Sequence, residues 1–442
     1  MPADKNAVWK LKSGHDRRFR QGHPWVYSNE LTESPKGVEP GTPVELRDAT
    51  GKFLARGYGN PHSLIAFRAV SRDPSEEQPL SDEGLARRIG SAIRLRASLG
   101  LGPYSARWVF GEADGIPGLV IDRYRVKQGQ VLAIQAHTAG VDAFLPRIEA
   151  ILERAIRETG PEAGGDWAHT AIVIRNDLSV RKLEGITIEE PRLLRGAPGL
   201  DAASLKRIEI QVRPVGAALG AGAGDFVPFA VDLFEGQKTG FFLDQAGNIE
   251  LAAARLAGLR PGAGRSRLRI IDLCCYVGQW STQLGRFFQS RGIEVETLLV
   301  DASADALALA KANAEKNGVR CETLKADVLG GLDGLEGGAF DLVVCDPPAL
   351  IKGRKDMPQG KHAYLQLNTQ AFRLVRTEGA IVSCSCSALL EEEELLQTLS
   401  KAAFRNRRVV RWVGRGAPSP DHPMRAEFPE GRYLKAWVGF TT

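Results

Sequence analysis

Three aspartates stand at the ends of successive apolar runs in the C-terminal half of the chain. Asp272 lies in IIDL, Asp301 ends LLVD and Asp327 follows in KADVL. Ligands of a parallel sheet bind beyond the carboxyl ends of its strands, so these acids are expected to meet at one edge. An acid in that place can bind both hydroxyls of a ribose. The pattern predicts a site for an adenosine-type ligand.

The turn after the first run, Cys274 to Gly278, contains one glycine. A pyrophosphate cradle requires several glycines, because the backbone must approach the phosphates. The turn therefore favours S-adenosyl-L-methionine, which has no phosphate, over a dinucleotide. The alternative is that strand-end aspartates only cap helices, a role that Ser303 or Asp305 could fill instead.

A second motif, Asp346-Pro347-Pro348, follows the apolar run FDLVVC. In S-adenosylmethionine methyltransferases, an Asp/Asn-Pro-Pro segment at this place holds the plane of a base or amide beside the methyl donor. The prolines fix the backbone, and the acid hydrogen-bonds the ring edge. The alternative is a rigid turn that only ends a strand.

Two cysteines end the next apolar run, in Ser383-Cys384-Ser385-Cys386-Ser387. Side chains alternate along a strand, so both thiols point to the same side, and Cys386 lies nearer the ligand cleft. No second cysteine pair or histidine cluster accompanies them, so no metal is expected. The other four cysteines are interpreted as small buried hydrophobic residues: Cys274, Cys275, Cys321 and Cys345.

A thiolate beside an acid suits methylation of cytosine at carbon 5. That carbon is a poor nucleophile, but thiolate addition at carbon 6 converts the ring into an enamine that can attack a methyl group. Cys386 would be the nucleophile, and Asp346 would stabilise the adduct as a carboxylic acid at ring nitrogen 3. A base must then remove the carbon-5 proton. Cys384 and a water molecule are the candidates for that base.

The composition is that of a globular chain of about three domains. The 442 residues are 43% hydrophobic and 25% charged, with a net charge of +5, which excludes disordered and collagen-like classes. All six cysteines follow residue 273, which argues against a secreted disulfide framework and for a reduced, cytoplasmic protein. No apolar stretch approaches 18 residues, so no membrane span is expected.

Three regions are expected to position these residues. Residues 1–75 are predicted to form a small, β-rich, basic domain, and residues 80–200 an α+β domain with two amphipathic helices. The second helix is expected to end at Gly160, and the first is expected to present one apolar face formed by Leu85, Ile89, Ile93, Leu95 and Leu99. Residues 225–442 alternate apolar strands with helices of a dozen residues, which predicts an α/β domain built on a parallel sheet.

Local basic groups indicate an RNA partner, although the net charge is small. Four cations follow the Asp-Pro-Pro turn, where the phosphates of a flipped nucleotide need neutralising: Lys352, Arg354, Lys355 and Lys361. A second cluster precedes Trp25, itself interpreted as core, and suits an RNA-binding surface: Arg17, Arg18 and Arg20. A run from Lys401 to Arg415 has six cations and no acid; a solvated helix face would explain it equally well.

The chain resembles the RlmI-like family of 23S rRNA (cytosine-5)-methyltransferases over nearly its full length. In the first two regions, the matching stretches are HPWVYS, GKFLARGYGNP, GEADGIPGLVIDRY and NDLSVRKLEG. In the third they are GQKTGFFLDQ, LCCYVG, DPPAL, SCSCS and DHPMRAEFPEGRYLKAW. Two stretches depart from the family. The family usually reads Tyr-Thr-Gly-Gly-Phe where this chain has Tyr276-Val277-Gly278-Gln279-Trp280, and the stretch PFAVDLFEG also differs from its commoner pattern.

The resemblance implies an N-terminal PUA domain, a central α/β domain and a C-terminal Rossmann-like class I methyltransferase domain. It implies S-adenosyl-L-methionine as cofactor and large-subunit ribosomal RNA as partner, with a homodimer as a further expectation. Cys386 takes the nucleophile's role and Asp346 contacts the base. The implied cofactor contacts are Lys238, Phe241, Asp244, Gln245, Asp272, Cys274, Tyr276, Gly278, Asp301, Asp327 and Asp346.

Two other functions remain open from the sequence. One is methylation of an exocyclic amine of adenine or guanine, for which the Asp-Pro-Pro motif suffices and Cys386 is idle. The other is a non-catalytic RNA-binding assembly factor that keeps the fold. A small-molecule methyltransferase is disfavoured, because it would have no use for a basic PUA-like module.

Overall fold

The computed structural model describes residues 7–216 and 225–442. The chain divides into two compact units. Unit 1 contains Met1–Ile208, Asp232–Gly240 and Asp421–Gly431. Unit 2 contains Glu209–Val231, Phe241–Pro420 and Arg432–Thr442.

The first sheet of unit 1 is the predicted β-rich region. Its five strands lie in the order β1-β3-β4-β5-β2. They are β1 (Ala7–Lys10), β2 (Trp25–Tyr27), β3 (Pro43–Arg47), β4 (Phe53–Gly59) and β5 (Ile65–Ser71), with helix α1 (Arg17–Arg20) between β1 and β2. The turn between β3 and β4 is held by Asp48, whose Oδ1 accepts from the backbone N–H of Thr50 and of Lys52, at 2.9 Å each.

The second sheet of unit 1 has the order β10-β9-β8-β7-β6. Its strands are β6 (Ala106–Phe110), β7 (Leu119–Val126), β8 (Gly129–Ala136), β9 (Thr170–Ile174) and β10 (Arg192–Arg195). The helices are α2 (Asp82–Ser98), α3 (Ala139–Phe144), α4 (Ile148–Thr159), α5 (Pro161–Gly164) and α6 (Val180–Leu183).

The two predicted amphipathic helices of this region differ in how far they match the sequence pattern. Helix α2 buries Leu85, Ile89 and Ile93 as predicted, but Leu95 and Leu99 are 40% and 39% exposed. The second prediction, one helix ending at Gly160, is realised as α3 and α4 with a 3₁₀ turn containing Pro146 between them.

A buried ion pair joins β5 of the first sheet to the end of α6, between β9 and β10 of the second sheet. Arg68 on β5 donates to Glu184 after α6, with Nη2 and Oε1 2.8 Å apart. Asn60 donates its Nδ2 to the other carboxylate oxygen at 2.9 Å. Contacts of this kind place residues 1–75 and 80–200 in one compact unit, and the boundary between them stays a prediction.

Two later segments also belong to unit 1, and both are bound at the ion pair of Arg107 and Asp122. The Arg107 Nε donates to Asp122 Oδ1 at 2.6 Å, and Thr239 of the segment Asp232–Gly240 donates to Asp122 Oδ2 at 2.5 Å. The Arg107 backbone N–H donates to Asp421 Oδ2 at 2.8 Å. The Arg107–Asp122 pair therefore joins two stretches that lie more than a hundred residues apart in the chain.

Unit 2 is built on the predicted parallel sheet, with strand order β15-β14-β13-β16-β17-β19-β18. The strands are β13 (Leu268–Leu273), β14 (Val295–Asp301), β15 (Arg320–Lys325), β16 (Phe340–Cys345), β17 (Val375–Ser385), β18 (Val410–Gly416) and β19 (Lys435–Thr441). The helices are α7 (Ala246–Leu256), α8 (Gln279–Gln289), α9 (Ala304–Lys316), α10 (Met357–Leu374) and α11 (Glu392–Arg405). Strands β11 (Ile208–Val212) and β12 (Val227–Val231) form a separate two-stranded sheet.

The first five strands of this sheet run parallel, and β19 is antiparallel to both of its neighbours. From β13 the chain adds strands first on one side and then, from β16, on the other. Such a reversal leaves a crevice at the carboxyl ends of the two central strands. The prediction of an α/β domain on a parallel sheet is confirmed, and its crevice falls where the sequence motifs end.

The part of the chain that the structure describes contains no helix with both the length and the apolar composition needed to span a bilayer.

Candidate active site

The turn after β13 has an unusual backbone. Cys274 and Tyr276 adopt left-handed conformations, with φ of 64° and 50°. Such conformations cost a residue with a side chain about 1–3 kcal/mol and persist only where the surroundings fix them. Here the N–H of Cys275 donates to the carbonyl of Val300 at 3.0 Å, and the N–H of Tyr276 donates to Asp301 Oδ2 at 2.9 Å. The turn is thus fixed by the end of β14.

Gly278 closes this turn and begins α8. Its φ is 77°, and an added Cβ would lie 3.2 Å from the Cβ of Ala310 on α9. A larger residue would be both strained and crowded. The single glycine of the motif therefore serves close packing between the turn and α9.

Asp272 is fully buried at the end of β13. Its Oδ2 accepts from the hydroxyl of Ser281 at 2.6 Å and from the Ser281 N–H at 3.2 Å, while Oδ1 has no partner among the described residues. Burial, and then the negative charges of Asp346 and Asp301, raise the pKa of Asp272 to about 7. A buried acid with an unpartnered oxygen is suited to a cationic donor.

The other two strand-end acids differ from each other. Asp301 is half-buried, and its Oδ1 accepts from the N–H of Ser303 at 2.9 Å. Ser303, not Asp301, caps α9, by accepting from Ala306. Asp327 is exposed and accepts from Leu329 at 3.0 Å as the cap of a 3₁₀ turn. The capping interpretation therefore describes Asp327, and Asp301 keeps the position expected of a ribose-binding acid.

Asp346 follows β16 and is held by two N–H donors. Gln245 donates its Nε2 to Oδ1 at 2.8 Å, and Trp280 donates its Nε1 to Oδ2 at 3.0 Å. Asn248 in turn donates to Gln245 Oε1 at 2.7 Å, which orients the Gln245 amide with its NH₂ toward Asp346. The carboxyl group is therefore fixed in orientation by α7 and α8.

Cys386 is half-buried and lies directly after β17. Its Sγ is 3.8 Å from the carbonyl oxygen of Pro347, the residue after Asp346. The serines on either side are buried and anchored to the Tyr364 hydroxyl, at 2.9 Å from Ser385 Oγ and 2.9 Å from Ser387 Oγ. The structure thus brings the predicted nucleophile beside the Asp-Pro-Pro turn.

Cys384 has a different environment, although it shares the alternation of Cys386. It is fully buried in an apolar cluster with Trp280 and Val438. Burial above all, and then the charge of Asp346, raise the pKa of the Cys384 thiol well above its usual value. A thiol that stays protonated does not suit the role of general base.

All six cysteines are free thiols. Of the four that were interpreted as buried, Cys275 and Cys345 are buried, whereas Cys274 and Cys321 are only partly so. Within residues 7–216 and 225–442, no group of three His, Cys, Asp or Glu side chains is arranged to hold a metal ion.

The remaining residues nominated for the cofactor are placed in both units. Phe241 is buried against Phe229, with ring centroids 5.2 Å apart, and Asp244 accepts from the Tyr433 hydroxyl at 2.6 Å. Both contribute to the interior of unit 2. Lys238, in a left-handed conformation with φ of 53°, lies in the segment Asp232–Gly240 of unit 1.

The cations after the Asp-Pro-Pro turn fall into two groups. Lys352, Arg354 and Lys355 are exposed and have no polar partner among the described residues. Lys361 forms an ion pair with Glu394 on α11. Three of the four are therefore available to phosphates, and the fourth is already neutralised.

The N-terminal cluster is also divided. Arg20 forms ion pairs with Asp16 and Asp48, at 2.5 Å and 2.6 Å, so it is a poor candidate for an RNA contact. The Arg18 guanidinium lies over the Tyr27 ring, 4.8 Å from its centroid. Arg17 is exposed without a polar partner in the described chain.

Two further interpretations of basic or aromatic residues are modified by the structure. Trp25, which was interpreted as core, is only half-buried. Its Nε1 donates to Glu112 Oε1 at 2.8 Å. In the run from Lys401 to Arg415, Arg415 pairs with Glu392, and Arg408 donates to the Val375 carbonyl at 3.1 Å. That run is therefore partly structural.

Three residues of the site were not predicted from the sequence: Trp280, Asn248 and Tyr364. For Trp280 a signal existed, because an indole on the first turn of the helix after β13 has an N–H that needs a partner when buried. Asn248 and Tyr364 are brought in by α7 and α10, and no local pattern points to them.

Three acids, Asp272, Asp301 and Asp346, thus meet at the crevice, and the charges of Asp346 and Asp301 both act on Asp272. Such an arrangement favours a ligand that carries positive charge. The sulfonium and ammonium groups of S-adenosyl-L-methionine meet that condition, and Asp301 is placed to accept from its ribose.

Two family models match the chain. A PUA-like domain matches residues 10–72, and a methyltransferase domain matches residues 265–424. The predicted fold class, with a PUA-like domain at the N-terminus and a class I methyltransferase domain at the C-terminus, is confirmed.

Curated proteins match over nearly the whole chain. Ribosomal RNA large subunit methyltransferase I of Serratia proteamaculans (strain 568) is 30% identical, with 97% of this chain and 98% of that protein covered. The protein of the same name from Shewanella denitrificans is 31% identical with the same coverage. Among solved structures, SMU.776 complexed with SAH shares the fold at 15% identity, with a TM-score of 0.71 over 98% of this chain and 100% of that chain.

Proposed function

Because the chain belongs to the ribosomal RNA large subunit methyltransferase I family, we propose that it forms 5-methylcytosine in 23S ribosomal RNA. The proposal rests mainly on one observation. Cys386, a half-buried thiol, lies 3.8 Å from the Asp-Pro-Pro turn, where the base is expected to bind. Methylation of an exocyclic amine would need no thiol at this place.

S-adenosyl-L-methionine is the methyl donor and supplies an electrophilic methyl group. Asp301 would bind the ribose hydroxyls, and the buried Asp272 would accept from the donor's ammonium group through its unpartnered Oδ1. The turn from Cys274 to Gly278 would border the ligand, because it follows β13 directly at the carboxyl edge of the sheet.

The Cys386 thiolate adds to carbon 6 of the cytosine and forms a carbon–sulfur bond. The ring electrons displaced by this addition make carbon 5 nucleophilic. Asp346 hydrogen-bonds the edge of the base, and Gln245 and Trp280 fix the plane in which it does so. After carbon 5 has gained the methyl group, a base removes the carbon-5 proton, the electron pair restores the ring double bond, and the thiolate leaves.

We assign the proton-accepting role to a water molecule. Of the two candidates, Cys384 has no exposed surface, and burial keeps its thiol protonated. A general base must be ionised or neutral with a free electron pair and must reach the proton it removes.

RNA capture is assigned to the PUA-like domain and to the exposed cations Lys352, Arg354 and Lys355. The PUA-like match and the local excess of positive charge support this assignment. A homodimer and a cytoplasmic location remain predictions from the sequence.

The test combines methyl transfer to ribosomal RNA with mass spectrometry of the nucleosides, for the wild type, Cys386→Ala and Cys321→Ala. Cys321 is a partly buried thiol on β15 and is the matched control. RNA containing 5-fluorocytosine should form a covalent adduct with the wild type and Cys321→Ala, because fluorine cannot leave carbon 5 as a proton does. Cys386→Ala should form neither adduct nor 5-methylcytosine.

Full methyl transfer by Cys386→Ala would overturn the cytosine mechanism. A methylated exocyclic amine among the products would then identify the alternative reaction. If the wild type binds no S-adenosyl-L-methionine in isothermal titration, the protein is instead a non-catalytic RNA-binding factor.

A further inference from the structure

Lys435 is a buried cation that the proposed mechanism does not use. It lies at the start of β19, opposite Ser385 of β17, and is 7% exposed. Its Nζ donates to the carbonyl oxygens of Ser387 and Leu390, at 2.8 Å and 2.7 Å. Lysine is almost never buried unless its charge is compensated, so a position of this kind needs a reason.

The two carbonyls belong to the segment that directly follows Cys386. Ser387 is the next residue in the chain, and Leu390 ends the turn before α11. The ammonium group therefore ties down the turn that carries the thiol. Burial lowers the pKa of Lys435, and the negative charges of Glu391 and of the Cys386 thiolate oppose this shift.

Other titratable groups surround this thiol and its lysine. From α10, Tyr364 interacts with Cys386; burial raises the pKa of its hydroxyl to about 12, so it is neutral. From β17, the buried thiol of Cys384 is neutral for the same reason. Asp346 precedes the contacting Pro347, and Glu391 and Glu392 act on Lys435 from the start of α11. Lys435 is the cation among these groups.

We propose that Lys435 is a positioning residue that stabilises the thiolate form of Cys386 and fixes the turn from which the thiolate attacks. A neighbouring ammonium group favours a thiolate over a thiol, and the thiolate is the nucleophile. The assignment of Cys386 as nucleophile comes from the proposed function. The effect of Lys435 on the thiol is nevertheless measurable without RNA or methyl donor.

The experiment follows alkylation of Cys386 by iodoacetamide between pH 6 and pH 10. The rate is read from the Cys386 peptide by mass spectrometry in the full-length protein. Lys435→Met removes the charge and the donors, Lys435→Gln keeps donors without the charge, and Lys435→Arg keeps both. Lys311→Met, which removes an exposed lysine paired with Glu315 on α9, is the matched control.

Lys435→Met and Lys435→Gln should raise the apparent pKa of Cys386 alkylation by about 1 unit or more, whereas Lys435→Arg and Lys311→Met should not. At pH 7 the rate should fall about tenfold in the first two variants. A wild-type pH profile in folded Lys435→Gln would overturn the inference, and if Lys435→Met does not fold, Lys435→Gln decides alone. If both variants unfold, the test uses the wild-type protein alone and compares the apparent pKa of Cys386 alkylation with that of Cys321. An apparent pKa of Cys386 that is not lower than that of Cys321 would overturn the inference.

This outcome is separate from that of the proposed function. A shifted alkylation profile without any 5-methylcytosine in the product would leave the Lys435–Cys386 pair established and the cytosine reaction refuted. Loss of methyl transfer in Cys386→Ala, together with an unshifted alkylation profile in Lys435→Gln, would support the cytosine reaction and refute the role of Lys435.

Discussion

Trp280 donates its indole N–H to Asp346, with 3.0 Å between Nε1 and Oδ2. The other oxygen of the same carboxyl group accepts from Gln245 at 2.8 Å. Both oxygens are therefore tied to donors of the same unit, and the carboxyl plane is set before a base arrives. The resemblance to the family implies that Trp280 stands where phenylalanine is usual, so this chain would have an N–H donor in place of an aromatic hydrocarbon ring.

Replacing Trp280 with phenylalanine tests this orientation. The ring is kept and the donor is lost, so we expect kcat for methyl transfer to fall roughly 10- to 100-fold, with little change in the KM for the methyl donor. Steady-state kinetics on ribosomal RNA provide the measurement. Trp412→Phe, on the edge strand β18, is the control, and an unchanged kcat in Trp280→Phe would show that the indole N–H has no part in catalysis.

Asn248 should act on Asp346 only through Gln245. Asn248→Ala leaves the Gln245 amide free to turn its oxygen toward the carboxylate, so we expect a loss of kcat close to that of Gln245→Ala. The double variant should be little worse than either single variant, because residues of one hydrogen-bonded chain are not additive. Kinetics of the three variants check this, and additive losses would mean that the two residues act independently.

The burial of Asp272 predicts a pH-dependent stability. Its pKa is raised to about 7 in the folded protein from 3.8, so its stabilising contribution is complete below about pH 4 and is lost as the pH rises through 7. Asp272→Asn lacks this titration. The difference in urea midpoint between Asp272→Asn and the wild type should therefore shift in favour of the variant as the pH rises from 5 to 8. The other titrating groups are the same in both proteins, so their effects cancel in this difference. A constant difference between the two proteins would contradict the raised pKa.

The Arg68–Glu184 pair predicts a large effect of a single substitution. Glu184→Met leaves a buried guanidinium without its partner, so we expect unfolding of unit 1 to become easier by about 3–5 kcal/mol. Arg68→Met with Glu184→Met should recover much of this loss, since no charge remains buried. Glu158→Ala, which breaks an exposed pair with Arg154 on α4, should cost about 0.5 kcal/mol or less. Denaturant unfolding would contradict the argument if the double variant were less stable than the single one.

The exposed cations of unit 2 predict a salt dependence of RNA binding. Each of Lys352→Ala, Arg354→Ala and Lys355→Ala should lower the slope of log affinity against log salt by about 0.7–0.9, one phosphate contact each. Lys361→Ala should change the slope less, because Lys361 is paired with Glu394. Filter binding of ribosomal RNA from 50 to 300 mM salt measures the slopes. Equal effects at all four positions would mean that the pairing of Lys361 does not protect it from RNA.

The sheet of unit 2 and the cluster of motifs at its carboxyl edge could be predicted because both depend on short-range pattern. Apolar runs such as IIDL and FDLVVC end in polar residues, and parallel strands bring those ends together. The placement of Asp301 beside the turn after β13 and of Cys386 beside Pro347 follows from strand order alone.

Other features depend on contacts that no local pattern contains. The different environments of Cys384 and Cys386 could not be predicted from alternation, which puts both side chains on the same side of the strand. Cys384 lies within β17 and is buried, whereas Cys386 lies just beyond its end and is half-buried. The pairing of Arg20 with Asp48 depends on a turn 28 residues away. Lys435 becomes relevant only because β19 inserts antiparallel between β17 and β18.

The segment Asp421–Gly431 has a consequence for how the protein is made. Unit 1 includes this segment, although it is translated after strands β13 to β18 of unit 2. While the ribosome is still adding the strands of the large sheet, the nascent N-terminal region lacks the carboxylate that the Arg107 N–H uses. We therefore expect the N-terminal region to stay incompletely folded until Asp421–Gly431 has left the exit tunnel, by which time six of the seven strands of the large sheet have been made.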